Sequence, residues 1–207
     1  MAKYAKKQIV TPRAIAVYPW LNRPDTKFNA DGEYKVTLKI AAEEAAPLMK
    51  SLDSILEEYK SEAVKLDAKV ARYAVTPPYE AETDDQGNLT GNYLFKFKQK
   101  AVVRTNDGRE IKMTVPLFDA NRTPTSVLVG GGSELKIAAS VWPYSMGTTR
   151  TIGLSLKPTA VQILSLIALA SSGAASMFES EEGFVAEEGD FVGFAETTNE
   201  GTHAADF

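Results

Sequence analysis

Few side chains in this sequence could perform catalysis. The only histidine is His203 and there is no cysteine, which excludes a Cys–His pair, a Cys-based metal site and a disulfide framework. Carboxylates are adjacent at Glu43-Glu44, Glu57-Glu58 and Asp84-Asp85, a pattern that is typical of a solvated helix or loop surface. We therefore expect a protein with no enzymatic activity, no metal and no cofactor.

Aromatic and basic side chains alternate along one stretch. Tyr93, Phe95 and Phe97 share one face of a predicted strand, and the opposite face carries Lys96, Lys98 and Lys100. Lysines on an exposed strand can follow the phosphates of a nucleic acid, although a routine solvated surface is the alternative. We expect the three rings to lie in the core.

A second aromatic pair ends a later strand pattern. Trp142 and Tyr144 precede Arg150, and strand alternation points both rings to one face, an inference that the intervening Pro143 weakens. Exposed rings stack on bases of any sequence, at about 1–3 kcal/mol per base. The alternative for Trp142 is an inward position in the core.

Charge divides the chain into two parts. After Phe178 there are nine acidic residues and no Lys or Arg. Removing these nine from the 27 acidic residues leaves 18 against 23 Lys and Arg, so residues 1–178 have a surplus of five positive charges. A basic body with an acidic tail indicates either a polyanion-binding surface with a competing segment or a tail that confers solubility. We predict a domain over 1–178 and a disordered tail over 179–207.

The elements that position these residues are mainly strands. Apolar residues at spacings of three and four predict one long helix over about 43–73, and Gly130 to Gly132 predict a bend rather than a phosphate-binding loop. The run 161–169 fits either a strand or a helix. Strands are predicted over 9–17, 33–40, 92–100, 110–116, 134–142 and 150–156, with a hairpin turn at 106–108. This order favours an OB-fold-like Greek-key barrel with one interpolated helix, and a β-sandwich fits the pattern nearly as well.

The order of several short motifs resembles a known family. These are Gly32-x-Tyr34-Lys35-Val36, Phe95-Lys96-Phe97-Lys98, Gly130-Gly131-Gly132-Ser133-x-Leu135-Lys136, Ser140-x-x-Pro143-Tyr144, Gly153-x-Ser155-Leu156 and the terminal Asp206-Phe207. Together they resemble the replicative single-stranded DNA-binding proteins of short-tailed phages. The resemblance covers roughly 29–164 and the tail.

The resemblance implies an OB-fold body that binds single-stranded DNA without marked sequence preference. It implies that Tyr144 stacks on bases and that five basic residues surround the DNA: Lys35, Arg72, Lys96, Lys98 and Lys136. Our candidate set also includes Trp142, Lys100 and Arg150. Three positions depart from the family pattern, because Lys100 replaces a tyrosine and Glu134 and Ala138 replace lysines.

The resemblance also implies partners and a location. The tail, ending in Asp206 and Phe207, would compete with DNA and contact the phage DNA polymerase and helicase-primase. The protein would act in replication, recombination or repair in the cytoplasm of the infected bacterium. It could also form a homodimer. The alternatives are an acidic protein-interaction or DNA-mimic module, whose basic residues would be scattered, and a nuclease, for which the sequence offers no ligands.

Overall fold

The computed structural model describes residues 7–105 and 107–167. These residues form twelve strands, one α-helix, α1 (Ala42–Leu66), and one 3-10 helix (Ala68–Arg72). The strands are β1 (Lys7–Val10), β2 (Ala14–Asp25), β3 (Glu33–Ala41), β4 (Ala74–Thr76), β5 (Tyr79–Thr83), β6 (Leu89–Lys100), β7 (Val102–Arg104), β8 (Glu110–Lys112), β9 (Leu117–Phe118), β10 (Pro124–Thr125), β11 (Glu134–Met146) and β12 (Thr151–Ser165). The predicted tail, its boundary at 178, Asp206 and Phe207 lie outside the described residues.

Five long strands close into a barrel. β2 pairs with β3, and β3 pairs with β6, both antiparallel. β6 meets β12 in parallel, β12 pairs antiparallel with β11, and β11 returns to β2 through Glu134 opposite Ile15. A closed five-stranded barrel with a helix between its second and third strands confirms the predicted OB-like fold and excludes the sandwich.

The barrel interior is filled by alternate residues of these strands. The inward side chains of β3 are Tyr34, Val36, Leu38 and Ile40, none more than 7% exposed. Opposite them on β6, Phe95 and Phe97 are buried, as predicted, and Tyr93 is partly buried against the same core. Because strand alternation commits these residues inward, their neighbours on β3 and β6 must face outward.

The predicted helix ends earlier than expected. α1 buries Ala45, Leu48, Leu52, Ile55 and Leu56, a stripe that matches the three-and-four spacing. The α-helix stops at Leu66, because Asp67 leaves helical geometry and its carboxylate accepts a hydrogen bond from the backbone N–H of Lys69 at 2.9 Å. The last part of the helix predicted over 43–73 is instead the separate 3-10 helix Ala68–Arg72.

Other boundaries also moved. The strand predicted over 9–17 is two strands, separated at Thr11 to Arg13 around Pro12, which lacks a backbone donor. The return strand predicted over 110–116 ends at Lys112, and the ambiguous run 161–169 is strand as far as Ser165. The glycine bend is confirmed: Gly132 has a φ of 89°, and its N–H donates to the carbonyl of Ala16 at 2.8 Å.

Candidate nucleic-acid interface

The outer face of β2, β3 and β6 carries a row of basic and aromatic residues. Lys35 lies opposite Lys98 across β3 and β6, and Trp20 lies opposite Lys35 across β2 and β3. Lys96 is one outward position further along β6, opposite Thr37. The face predicted for Lys96, Lys98 and Lys100 is confirmed, since all three are exposed.

An open cleft of about 600 Å³ lies on this face, which we call the aromatic–lysine cleft. It combines flat rings, cations and two carboxylates. Its side chains include Tyr18, Trp20, Phe28, Lys27, Lys35, Lys96, Lys98, Asp25 and Glu33. A cleft of similar volume between β1 and α1 has no aromatic ring in its lining. Of these two clefts, only the aromatic–lysine cleft pairs stacking surfaces with several cations.

A β-bulge aims Tyr18 at solvent. Val17 lies opposite Thr37 and Trp20 opposite Lys35, so Tyr18 and Pro19 together face a single residue of β3. Tyr18 has a φ of 50°, in the left-handed region that a bulky residue avoids, and its side chain is 81% exposed. Bulges re-aim side chains, and strain of this kind concentrates at functional sites.

The other two rings lie beside cations. Phe28, in the loop between β2 and β3, is 86% exposed, and Lys27 Nζ lies 5.3 Å from its ring centre. The guanidinium carbon of Arg23 lies 5.5 Å from the centre of the Trp20 ring. Cations over ring faces are favourable contacts that leave the positive charge near the surface a base would use.

Asp25 shapes the electrostatics of the cleft. Lys35 Nζ lies 2.5 Å from its Oδ2, and the backbone N–H of Lys27 donates to its Oδ1 at 2.9 Å. The hydrogen bond from Lys35, followed by that from Lys27, lowers the pKa of Asp25 below its usual value. The carboxylate is therefore ionised near neutral pH, holds Lys35 in place and offsets part of its charge.

The lysines of β6 differ in how they are paired. Lys96 Nζ lies 2.8 Å from a carboxylate oxygen of Glu80 on β5. Lys98 makes no ion pair within the described ranges, and Lys100 lies opposite Glu33 at the end of the strand, outside the cleft lining. Lys98 is thus the lysine of this strand best placed to meet a phosphate.

Trp142 and Tyr144 lie on the outer face of β11. Their partners on β12 are Ser155 and Gly153, two residues apart, so both rings share one face, as predicted. Lys157 Nζ lies 3.8 Å from the centre of the Trp142 ring. Tyr144 packs directly over Gly153, where an added Cβ would lie 2.6 Å from its hydroxyl.

The barrel joins this face to the cleft. Leu156 of β12 pairs in parallel with Phe97 of β6, and both are buried. The next residue of each strand, Lys157 and Lys98, therefore points outward on adjacent strands. Around the barrel the outward order is Trp20, Lys35, Lys98, Lys157 and Trp142.

The remaining predicted residues lie outside the cleft lining. Arg72 is on the 3-10 helix, and Arg150 is in the turn between β11 and β12, where its carbonyl accepts from the N–H of Ala74 at 2.9 Å. Lys136 lies opposite Gln162 near the start of β11. Of the predicted basic residues, Lys35, Lys96 and Lys98 thus lie together in the cleft lining. Arg72, Lys136 and Arg150 lie elsewhere.

Sequence reasoning missed the rings of β2 and its loop. Tyr18, Trp20 and Phe28 occur within eleven residues that also contain Arg23 and Lys27, an aromatic and basic interleaving that could have been noticed. Lys157 was missed as well. It continues the outward period-two series that Ser155 occupies on β12.

Two further observations concern the described part of the chain. Residues 7–105 and 107–167 contain no group of three His, Cys, Asp or Glu side chains arranged to hold a metal ion. Within the same residues, no helix has the length and apolar character required to cross a membrane.

Comparisons with known proteins agree with this architecture. A curated single-stranded DNA-binding protein of Enterobacteria phage T3 is 25% identical over 194 residues, covering 84% of this chain and 82% of its own. Among solved structures, gp2.5, a single-stranded DNA-binding protein encoded by bacteriophage T7, matches with a TM-score of 0.67 and 23% identity over 88% of this chain and all of its own. A C-terminal truncation of the single-stranded DNA-binding protein from bacteriophage Enc34 matches with a TM-score of 0.55 and 12% identity, over 76% of this chain and 85% of its own.

A family model decides the membership. The model described as single-stranded DNA-binding protein, bacteriophage T7, matches residues 13–169. That range contains every residue of the aromatic–lysine cleft and the whole barrel. The chain therefore belongs to the family of single-stranded DNA-binding proteins represented by that of bacteriophage T7.

Proposed function

We propose that this protein binds single-stranded DNA in the aromatic–lysine cleft, without catalysis and largely without sequence preference. The observation that carries the proposal is the grouping of three solvent-accessible rings with four lysines on one face of an OB-like barrel. The alternative of an acidic interaction module predicted scattered basic residues. Grouped basic residues support DNA binding instead.

The mechanism combines two sequence-independent terms. Lys35, Lys96 and Lys98 neutralise phosphates and release condensed counterions, which makes the affinity fall as salt rises. Tyr18, Trp20 and Phe28 stack on bases, which are accessible in a single strand and stacked on each other in a duplex. Trp142 and Tyr144 extend the stacking surface across β11, reached through Lys157.

We further propose that the protein acts in phage DNA replication, recombination or repair in the cytoplasm of the infected host. In this proposal the acidic tail, tipped by Asp206 and Phe207, competes with DNA and recruits the phage polymerase and helicase-primase. The nine acidic residues after Phe178 and the basic surplus before it support the competition. Deleting residues 179–207 should tighten oligonucleotide binding at low salt and abolish polymerase and helicase-primase contact, and an unchanged affinity would contradict the competition.

A homodimer is a separate prediction, which analytical ultracentrifugation of the full chain tests.

A fluorescence anisotropy titration of the full chain tests DNA binding. We expect a labelled single-stranded oligonucleotide to bind more tightly than its duplex, with a clear loss of affinity between 50 and about 200 mM salt. Equal binding of single strand and duplex, or no salt dependence, would contradict the proposed cleft. For variants that remove a lysine of the cleft, Lys112→Ala on β8, outside the cleft, is the control for a general loss of positive charge.

A further inference from the structure

The Tyr18-Pro19-Trp20 segment, which we call the ridge, borders the aromatic–lysine cleft and also a second cleft. This cleft has a volume of about 500 Å³, and we call it the apolar cleft. Its lining includes Ile15, Val17, Arg23, Lys39, Leu128 and Val129, together with the ridge itself. Tyr18 and Trp20 line both clefts, so the two are neighbours across one strongly exposed ring.

One wall of the apolar cleft is held in place by Asn22. Its side-chain Nδ2 donates to the carbonyls of Ser126, at 2.9 Å, and Val127, and its Oδ1 accepts from the N–H of Val129 at 3.3 Å. These bonds fix the loop that presents Leu128, a side chain 45% exposed. The wall is therefore pre-formed, which reduces the entropic cost of binding a ligand against it.

The chemistry of the lining suits a flat apolar ring attached to an anion. Its side chains are mainly aliphatic or aromatic, and the charged groups are Arg23 and Lys39, with no carboxylate among the described lining residues. Lys39 Nζ lies 3.6 Å from Glu82, whereas Arg23 makes no ion pair within the residues described. A nucleotide offers both parts, since its base is a flat ring and its phosphate is an anion.

We propose that the apolar cleft is a second subsite for the same DNA strand. This inference rests on the proposed function, because continuity with the aromatic–lysine cleft selects single-stranded DNA over a protein partner. The strand crosses the ridge and places an unstacked base against Leu128, with an adjacent phosphate near Arg23. Tyr18, aimed outward by the bulge, lies between the bases of the two clefts.

A length series of oligothymidylates tests the proposal. Leu128→Ser should leave the affinity for the shortest oligonucleotides unchanged and weaken binding of longer ones by about fivefold, because the base loses its apolar contact with the Leu128 side chain. Val127→Ser is the matched control, because Val127 is on the same loop, is 39% exposed and lines neither cleft. Parallel length curves for Leu128→Ser and the unsubstituted protein would overturn the second subsite.

A measurement on the unsubstituted full chain removes any dependence on how variants fold. Amide hydrogen exchange of residues 126–132 should slow with a long oligothymidylate and not with the shortest one that binds. Absence of slowing with any bound length would overturn the subsite and leave the apolar cleft to a protein occupant. If no oligonucleotide binds at any length, the proposed function itself fails, which is a different result from equal length curves.

Discussion

Lys35 Nζ lies 2.5 Å from Oδ2 of Asp25, a residue that is only 9% exposed and lines the aromatic–lysine cleft. A carboxylate in a cleft that we propose to bind an anionic strand would oppose that binding. It also holds its lysine in one position, so orientation is gained while positive potential is lost. The balance between these effects can be measured by removing the charge and keeping the shape.

Asp25→Asn should tighten the binding of single-stranded DNA. The amide oxygen can still accept from the N–H of Lys27, while one negative charge leaves the cleft. We expect an affinity gain of about fivefold at low salt that shrinks as salt screens the cleft, measured by anisotropy at several ionic strengths. A weaker Asp25→Asn complex would show that the carboxylate acts chiefly by orienting Lys35.

Lys98→Ala should weaken DNA binding more than Lys96→Ala. Lys98 has no ion-pair partner in the described part of the chain, whereas Lys96 is 2.8 Å from Glu80. Loss of one phosphate contact should lower the slope of log affinity against log salt by about 0.7 for a single strand. Salt titrations of both variants provide the measurement, and equal slopes would contradict the assignment of Lys98 to a phosphate.

Tyr18→Gly should separate binding from stability. Glycine adopts a φ of 50° without steric cost, so the strain at this bulge is relieved. Because glycine also loses more conformational entropy on folding, the two effects oppose each other and the free energy of unfolding should stay near its original value. The exposed ring is lost, and single-stranded DNA binding should fall by about fivefold or more. Urea unfolding and anisotropy on the same preparations test both halves. Unchanged DNA affinity would show that Tyr18 does not contact a base.

The barrel strands were predictable because their pattern has a period of two. Residues 33–40 alternate strictly, and residues 92–100 alternate except at Leu94 and Gln99, which was enough to predict Phe95 in the core and Lys96 and Lys98 outside it. The bulge at Tyr18 leaves no comparable mark, because an extra residue in one strand is defined only by the partner strand opposite it. The outward aim of Tyr18 was missed for that reason, whereas the interleaving of the three rings with Arg23 and Lys27 is visible in the sequence.

Closure of the barrel was also beyond a local pattern. The pairing of Phe97 with Leu156 joins two strands that are separated by the fifty residues 101–150, and this pairing makes Lys98 and Lys157 outward neighbours. Likewise, Arg72 and Lys136 were assigned to the DNA surface by resemblance alone, and the barrel places both outside the cleft lining. Local alternation gives the face of a residue, and tertiary pairing gives its neighbours.

Tyr79 links strand β5 to α1 through a hydrogen bond that alkaline pH should break. Its hydroxyl donates to Asp53 at 2.7 Å, and burial together with this bond raises the pKa of Tyr79 from 10.0 to about 12. A raised folded pKa gives stability that is present below about pH 10 and is lost as the pH rises towards 12. Tyr79→Phe should therefore show a smaller loss of unfolding free energy between pH 10 and 12, measured by urea denaturation, and an identical loss would contradict the link.

Gly153→Ala should destabilise the protein because the Tyr144 ring and the backbone of Thr76 pack against this glycine. An added Cβ would lie 2.6 Å from both the Tyr144 hydroxyl and the carbonyl oxygen of Thr76, so the ring and strand β4 must both shift. We expect a cost of about 1–3 kcal/mol in urea denaturation, as for other overpacked sites, and little change for Ser155→Ala two residues along the same face. Adding Tyr144→Ala to Gly153→Ala should recover part of the cost, because the ring no longer clashes, while the carbonyl still does. Strictly additive free energies in this double-mutant cycle would show that the Tyr144 ring does not rest on Gly153.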